Sequence, residues 1–275
     1  MAAVLLTAAV AMVTAGCDHP PKPVFPAGST MARLQDSGRI TVGVKFDQPG
    51  VGFRNPATRK PEGFDIEMAK IIAAGLGLPA DRITWVQTVS ADRESYLVQG
   101  KVDIVVASYS ITDQRQDQVG QAGPYYQTGQ RILVRKGNTD INGPEDLAGA
   151  TVCSVTDSTS LETARTEFHA RPLPLPTYTE CVQRLLAGSV AAVTTDDAVL
   201  VGYVRKQPDK LKVVGRPFTT EQYGVGYRKG DTAFCRFLSD TIRTAENDGR
   251  WQKAFDDTLG SYGVAAPVRP LLKSC

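Results

Sequence analysis

The stretch QRILVRKG at residues 130–137 predicts a β-strand, and YGVGYRKG at residues 223–230 predicts another strand that ends in the same Arg-Lys-Gly tripeptide. Between them, short β-branched runs alternate with helical patterns. Such alternation is typical of parallel-type sheets with helices on both faces. We therefore interpret the two strands as paired crossovers between two lobes, the second lobe being inserted into the first. One larger sheet without a cleft is the alternative that the pattern leaves open.

The same alternation of strand and helix precedes residue 130. The predicted strands are 39–44, 83–86, 102–107, 150–155, 174–178, 190–194 and 212–214, and the predicted helices are 63–73, 91–98, 158–169, 179–187 and one ending at Tyr203. Two further helices, striped by aromatic and aliphatic residues, follow the second crossover and rejoin the first lobe. We thus expect lobe one to comprise residues 37–133 and 226–275, and lobe two to comprise residues 134–225.

The N-terminus has the pattern of an export signal. Residues 1–15, MAAVLLTAAVAMVTA, are apolar and uncharged, the length of a signal core and too short to span a bilayer. Gly16-Cys17 follows and resembles a bacterial lipobox, in which Cys17 is lipidated. A plain signal peptide and a buried helix with an incidental cysteine are the alternatives. Proline-rich sequence follows, and we predict an extended tether over residues 18–36.

Composition excludes several classes of function. The 275 residues are 42% hydrophobic and 22% charged, which is ordinary for a soluble globular protein. The formal net charge of +2 gives no electrostatic reason for a nucleic-acid partner. We expect a monomer that binds no nucleic acid.

The cysteines downstream of the lipobox predict disulfides. These cysteines are Cys153, Cys181, Cys235 and Cys275. Four cysteines in an exported chain indicate two disulfides with three possible pairings, and we favour Cys153–Cys181 and Cys235–Cys275. Buried free thiols are the alternative. A zinc site is disfavoured because the sequence has no CxxC spacing and its only histidines are His19 and His169, so we expect no metal and no cofactor.

Three motifs in a fixed order carry a family resemblance. They are GFDIEMA at residues 63–69, SYSITDQR at 108–115 and VTTDD at 193–197. Together they resemble the signature segments of the family 3 solute-binding proteins of polar-amino-acid ABC importers. The resemblance runs from Ser37 to Tyr262, nearly the whole mature chain.

Two further segments resemble glutamate- and aspartate-binding lipoproteins of that family. They are KFDQPG at residues 45–50 and CSVTDSTS at 153–160, where Asp157 replaces the family's usual glycine. The resemblance implies an α/β, two-lobe fold of the type II periplasmic-binding-protein class, with two crossover strands as the hinge. It also implies that a ligand is captured between the lobes.

A free amino acid presents a carboxylate and an ammonium on one carbon, so its recognition needs a fixed cation and a fixed anion across a dry cleft. Arg115 is the predicted cation, because its planar fork can hold the α-carboxylate in a bidentate manner. Ser110 adds donors, and the start of a helix at Ser158, Thr159 and Ser160 offers backbone N–H groups. Asp196 is the predicted ammonium ligand. Asp197 as the true ligand, and a helix N-cap role for Asp196, remain alternatives.

The predicted pocket for the ligand side chain lies at the end of the first strand. The resemblance puts Lys45 there, and we expect it, helped by Arg54, to pair with a side-chain carboxylate. Phe46 and Phe53 are predicted to wall the ligand's methylene groups. A solvated edge lysine and ordinary core packing of the two rings are the alternatives. Ser108 is expected from the resemblance to offer its carbonyl to the ammonium.

These residues predict a binding protein and not an enzyme. Ligand is expected to bind lobe one through Arg115 and Ser110, after which Asp196 and the 158–160 turn close over it. The expected ligand is a free acidic amino acid, the partner a membrane-embedded ABC permease, and the location the outer face of the cytoplasmic membrane. A sensor that signals to a membrane partner is an alternative. A dehydratase on the same scaffold is disfavoured because no His, Cys or isolated Glu occupies a motif position.

Overall fold

The structure is a computed structural model that describes residues 22–275. The predicted signal segment and Cys17 lie outside these residues. No helix within residues 22–275 combines the length and the apolar character that a membrane crossing requires.

Strands and helices alternate as the sequence predicts. The strands are β1 Ile40–Val44, β2 Asp47–Gln48, β3 Gly52–Arg54, β4 Pro61–Glu62, β5 Ile83–Gln87, β6 Ile104–Val105, β7 Gly120–Thr128, β8 Gln130–Arg135, β9 Thr151–Val155, β10 Arg171–Leu175, β11 Ala192–Asp196, β12 Leu211–Val214 and β13 Glu221–Tyr227. The α-helices are α1 Thr30–Ser37, α2 Phe64–Gly75, α3 Arg93–Val98, α4 Asp113–Gln116, α5 Thr159–Thr166, α6 Tyr178–Leu186, α7 Asp197–Lys206, α8 Thr232–Asn247 and α9 Arg250–Asp257.

Two five-stranded sheets form the two lobes. Their strand orders are β5-β1-β6-β13-β7 and β10-β9-β11-β8-β12. In each sheet the early strands run parallel, while β13 in the first and β8 in the second run antiparallel to their neighbours. A small antiparallel sheet, β2-β3-β4, stands beside the first lobe. The two-lobe type II fold is thus present, and the alternative of one larger sheet is wrong.

The two lobes are not joined by the pair of crossover strands that the sequence predicted. Strands β8 and β13 do not pair with each other, since β8 pairs with β11 and β12 while β13 pairs with β6 and β7. The predicted divisions after residues 133 and 225 therefore fall inside strands. The sheets are joined instead at Gly129 and through residues 215–220. We propose that the lobe boundaries lie at these two connections.

The two connections pack tightly against each other. A Cβ at Gly129 would collide with the carbonyl oxygen of Thr219, so only glycine fits there. The Gln130 N–H donates to Thr219 Oγ1 at 3.0 Å, and the Phe218 N–H donates to the Gln130 carbonyl at 3.1 Å. A close pair of short connections is the geometry that a hinge between two lobes requires.

The predicted tether is wrong for residues 30–36, which form most of α1. Ser29 Oγ caps this helix by accepting from the Ala32 N–H at 3.2 Å, and Gly38 ends it in the left-handed conformation. Upstream, Phe25 packs edge-on against Phe237 with ring centroids 5.6 Å apart. The prolines alone suggested a spacer, but a cap and two buried apolar residues in α1 dock this segment on lobe one.

Both favoured disulfides are confirmed. Cys153–Cys181 joins β9 to α6 within the second lobe, and Cys235–Cys275 joins α8 to the C-terminal tail. The tail is also held by the Lys273 N–H, which donates to the carbonyl of Gly123 at 2.7 Å. The second disulfide therefore fixes the tail against lobe one, as expected.

Candidate functional site

A cavity lies between the two sheets at the ends of several strands. The space between its lining residues is about 260 Å³, part of which is open to solvent. Its lining residues are Ser90, Arg93, Ser108, Ser110, Arg115, Ser158, Thr159, Ser160, Tyr178, Thr195 and Asp196. All of these residues are polar or charged, so the cavity suits a small polar ligand.

Most of the sequence-predicted site residues meet in this cavity. Those that line it are Ser108, Ser110, Arg115, Ser158, Thr159, Ser160 and Asp196. Both lobes contribute, because the SYSITDQR motif belongs to the first and the CSVTDSTS and VTTDD motifs belong to the second. Their roles as ligand contacts remain predictions.

Arg115 is held rigidly with part of its guanidinium still available. Its Nη1 donates to the Ser110 carbonyl at 2.8 Å, and its Nη2 donates to the Asp157 carbonyl at 3.0 Å. Its Nε pairs with Glu94 at 3.4 Å. A guanidinium carries five N–H donors, so two remain for a ligand after these three contacts. The side chain is buried, which strengthens any bond it makes to a carboxylate.

The sequence analysis missed a second arginine, Arg93, which is only 2% exposed and lines the same cavity. Its guanidinium donates to the carbonyls of Ser90 at 3.1 Å and Ser108 at 3.2 Å. Burial, and then the charge of Arg115, lower the pKa of Arg93 to about 10, so it stays charged at neutral pH. Both guanidiniums lie over the ring of Tyr109, at 4.5 Å and 5.2 Å from its centroid.

Arg93 belongs to no motif, but its position carried a usable signal. It begins α3, the first α-helix after β5, which is an outer strand parallel to β1. Ligands of open α/β sheets bind outside the carboxyl ends of such strands. A charged residue at that place is therefore a site candidate on topology alone.

Asp196 lies opposite the arginines with one carboxylate oxygen unused. Its Oδ2 accepts from the Tyr223 hydroxyl, while its Oδ1 is buried and has no hydrogen-bond partner among residues 22–275. Burial, and then the charge of Glu221, raise the pKa of Asp196 to about 7. A buried acceptor without a partner is unfavourable unless a ligand supplies a donor.

The surroundings of Asp196 and Asp197 bear on the two alternatives for this carboxylate. Asp197 pairs with Arg131 at 2.9 Å and does not line the cavity. Asp196 occupies the N-cap position of α7, but its side chain makes no capping hydrogen bond. The structure thus brings Asp196, and not Asp197, to the cavity.

The turn before α5 has the conformation that glycine usually provides. Asp157 is left-handed with φ 58°, so the replacement of the family's glycine preserves the turn. Ser158 Oγ caps the helix by accepting from the Leu161 N–H at 3.0 Å. The N–H groups of the first turn of α5 therefore lie at the cavity, where a helix N-terminus favours an anion.

The aspartate of the GFDIEMA motif positions Ser108. Asp65 is buried, with Oδ2 accepting from the Ser108 N–H and Oδ1 from the Tyr125 hydroxyl, both at 2.7 Å. These bonds hold Ser108 at φ 42°, a left-handed conformation that is uncommon for serine. Two motifs far apart in sequence thus combine to place one cavity residue.

Lys45, from the predicted side-chain pocket, lies behind the cavity, and its role as a ligand contact stays a prediction. Lys45 is buried, but its Nζ donates to Ser90 Oγ at 2.8 Å, so it reaches the cavity through Ser90. Burial, and then the charge of Arg93, lower the pKa of Lys45 to about 7.

The other three predicted pocket residues lie outside the cavity. The Arg54 guanidinium stacks 4.0 Å from the Phe46 ring centroid, and Phe53 packs under Lys206 of α7 at 4.3 Å. In this structure the β2–β3 hairpin turns these side chains toward one another and toward α7. The roles of Phe46, Phe53 and Arg54 as ligand contacts stay predictions.

A cavity between two lobes, with buried cations on one side and a carboxylate oxygen without a partner among residues 22–275 on the other, defines a binding protein for a small charged solute. Residues 40–261 match the family model of bacterial extracellular solute-binding proteins, family 3, and the chain belongs to that family. Members of this class bind free amino acids outside the cytoplasm and deliver them to a membrane permease of an ABC importer.

Relatives with known ligands agree with this class. The chain is 34% identical to the glutamate-binding protein GluB of Corynebacterium efficiens, over 85% of this chain and 83% of that protein. It is 32% identical to the glutamine-binding protein GlnH of Bacillus subtilis, over 82% and 83%. Among solved structures, an ancestral amino-acid-binding protein, a precursor of cyclohexadienyl dehydratase, is 30% identical with a TM-score of 0.76, over 84% of this chain and 100% of that one.

Proposed function

We propose that this protein captures an acidic amino acid, L-glutamate or L-aspartate, by closure of its lobes and delivers it to an ABC importer. One observation carries the proposal: two buried arginines share a small cavity with a buried carboxylate oxygen that has no donor in the described part of the chain. A zwitterion with a second carboxylate satisfies all three groups at once.

The two arginines that line the cavity favour a ligand with two carboxylates, and the buried carboxyls of Asp65 and Glu221 act on Lys45 and Asp196 respectively. Arg93 and Arg115 carry two positive charges, and Lys45 adds a third whenever it is protonated. Glu94 pairs with Arg115, and Asp196 is reserved for the ammonium in this proposal. A neutral amide side chain leaves one buried guanidinium without an anion, which is unfavourable in a dry site.

The available donors suggest how the ligand is oriented. The two free N–H groups of Arg115 form a fork that suits the α-carboxylate, next to the start of α5. Asp196 Oδ1 then accepts from the ammonium. Arg93 takes the side-chain carboxylate, with Ser90 and Lys45 behind it.

Replacing Arg93 with glutamine is expected to weaken L-glutamate binding far more than L-glutamine binding. The variant loses a charge-assisted bond to the side-chain carboxylate, worth about 2 kcal/mol or about 30-fold in affinity. Isothermal calorimetry with both ligands measures the ratio of the two dissociation constants. Arg243→Gln is the control, because Arg243 is exposed on α8 and pairs with Asp240. An unchanged ratio in Arg93→Gln would show that Arg93 does not read the ligand side chain.

A thermal-shift screen with the twenty common amino acids tests the proposed ligand class. We expect L-glutamate, L-aspartate or both to raise the melting temperature, since a ligand that binds only the folded state stabilises it. Shifts with basic or apolar amino acids alone would refute the proposal.

We also propose that Cys17 is lipidated and anchors the protein on the outer face of the cytoplasmic membrane. The support is the Gly16-Cys17 sequence after an apolar segment. Metabolic labelling with a palmitate analogue tests it, with Cys17→Ala as the matched control. Equal labelling of both forms, or labelling of neither, would refute the anchor without touching the ligand proposal.

A further inference from the structure

The lobes touch at a second place, outside the ligand cavity. Strand β2 of the small sheet contacts α6 and α7 of lobe two through Asp47. Asp47 Oδ2 accepts from the Tyr178 N–H at 2.8 Å, and the Asp47 carbonyl accepts from the Tyr203 hydroxyl. Neither Asp47 nor Tyr203 lines the ligand cavity.

The donor that Asp47 engages is one that helix α6 cannot satisfy by itself. Thr177 caps this helix and forms a reciprocal capping box with Glu180, which uses the N–H groups of those two residues. The N–H of Tyr178, the first helical residue, has no acceptor within a helix. A carboxylate from the opposite lobe both accepts this bond and lies at the positive end of the helix.

Close packing accompanies the hydrogen bonds. A Cβ at Gly202 would collide with the carbonyl oxygen of Pro49, so glycine is required where α7 meets the hairpin. Glycine inside a helix is unfavourable, and this close approach gives a physical reason for it. The Tyr203 hydroxyl also lies 3.1 Å from Thr179 Oγ1, which links α7 to α6.

Both partners of this contact are fixed to their own lobes. The hairpin is tied to α2, since the N–H groups of Phe64 and Asp65 donate to the carbonyls of Gly50 and Val51 at 2.9 Å. On the other side, Cys181 bonds α6 to β9. Tyr178 joins the two places, because its N–H meets Asp47 while its side chain lines the ligand cavity.

We propose that Asp47 and Tyr203 form an interlobe latch that stabilises the closed state without touching the ligand, and so sets how long a bound ligand is held. The latch forms only when the lobes approach, because its members belong to different lobes. It shifts the equilibrium between open and closed protein and thereby scales the affinity for every ligand that requires closure. This inference rests on the proposed function only for the identity of the ligand. The effect of the latch on lobe closure does not depend on that identity.

Single-molecule FRET measures the latch directly in the ligand-free protein. Dyes at the exposed positions Arg236 on α8 and Arg184 on α6, attached to unnatural amino acids, spare both disulfides. We expect Asp47→Ala and Tyr203→Phe to shift the distance distribution toward the open state. Asp103→Ala is the control, because Asp103 also accepts a backbone N–H, that of Thr41 at 2.8 Å, but within lobe one.

Stopped-flow release of L-glutamate gives the second readout. Asp47→Ala is expected to raise the dissociation rate about tenfold and to leave the association rate within about twofold, because the latch acts after encounter. Tyr203→Phe preserves packing and keeps the test valid if the alanine variant is unstable. Distance distributions and dissociation rates equal to those of the wild type in both variants would overturn the latch. Failure of L-glutamate to bind the wild type would refute the proposed ligand. The FRET distance distributions of the ligand-free protein would still show whether the latch exists.

Discussion

Replacing Arg115 with alanine is expected to weaken L-glutamate binding by several hundred-fold. The variant removes two charge-assisted hydrogen bonds to the α-carboxylate in a buried site, together about 3–4 kcal/mol. Arg115→Lys keeps the charge but loses the planar fork, so we expect it to recover only part of the affinity. Isothermal calorimetry at fixed pH and salt measures all three proteins.

The matched control is Arg165→Ala, which removes an exposed arginine that pairs with Glu162 on α5. It is expected to bind L-glutamate like the wild type, because exposed ion pairs contribute little. If Arg115→Ala binds as tightly as this control, the α-carboxylate is held elsewhere and the site assignment is wrong.

The second prediction with a large effect concerns Asp196, whose replacement should stabilise the fold and remove ligand binding. Asp196→Asn is expected to abolish detectable L-glutamate binding, yet to raise the free energy of unfolding of the ligand-free protein at pH 8. Asparagine resembles the protonated aspartic acid that the buried site favours. The gain is on the order of 4 kcal/mol, because the folded pKa of about 7 lies well above the unfolded value of 3.8.

The pH dependence gives the sign of this effect. A carboxyl whose pKa is raised in the folded state favours folding below its unfolded pKa, and this contribution is lost as the pH rises through the folded pKa. Asp196→Asn and the wild type should therefore unfold alike near pH 4 and diverge up to pH 8. Urea unfolding at both pH values measures the difference.

Asp197→Asn provides the control at the adjacent position. Asp197 pairs with Arg131 at the edge of the site, so this variant should keep L-glutamate binding and gain no stability at pH 8. A wild type that is more stable than Asp196→Asn at pH 8 without ligand would contradict an unfavourable buried carboxylate at Asp196, whose Oδ1 has no partner among residues 22–275.

The sequence motifs predicted those cavity residues whose proposed role does not depend on neighbours far away in the sequence. Arg115, Ser110 and Asp196 lie at fixed places in short sequence patterns, and the structure brings all three to one cavity. Arg93 was missed because its role depends on neighbours remote in sequence, such as Asp157 and the Tyr109 ring. A single arginine in a polar segment carries no local sign of such burial.

The surroundings of the β2–β3 hairpin could not be predicted for a related reason. Lys45 and Phe46 lie in the connection between β1 and β2, where strand periodicity does not fix the direction of a side chain. Lys45 turns inward to Ser90, while Phe46 stacks with Arg54. Periodicity indicates that the faces alternate, but not which face meets the ligand and which meets the other lobe.

The hinge shows a similar limit. The sequence indicated two strands flanking an inserted lobe, and these strands exist as β8 and β13. Their pairing depends on contacts between residues far apart in sequence, such as Gly226 with Val105 and Thr194 with Ile132. Which strand joins which sheet is therefore set by the packing of the lobes and not by local pattern.

A crystal structure with bound L-glutamate tests the central claim most directly. We expect the α-carboxylate on the Arg115 fork, the side-chain carboxylate at Arg93 and the ammonium about 3 Å from Asp196 Oδ1. A ligand ammonium that makes no contact with Asp196, or an α-carboxylate that does not touch Arg115, would contradict it.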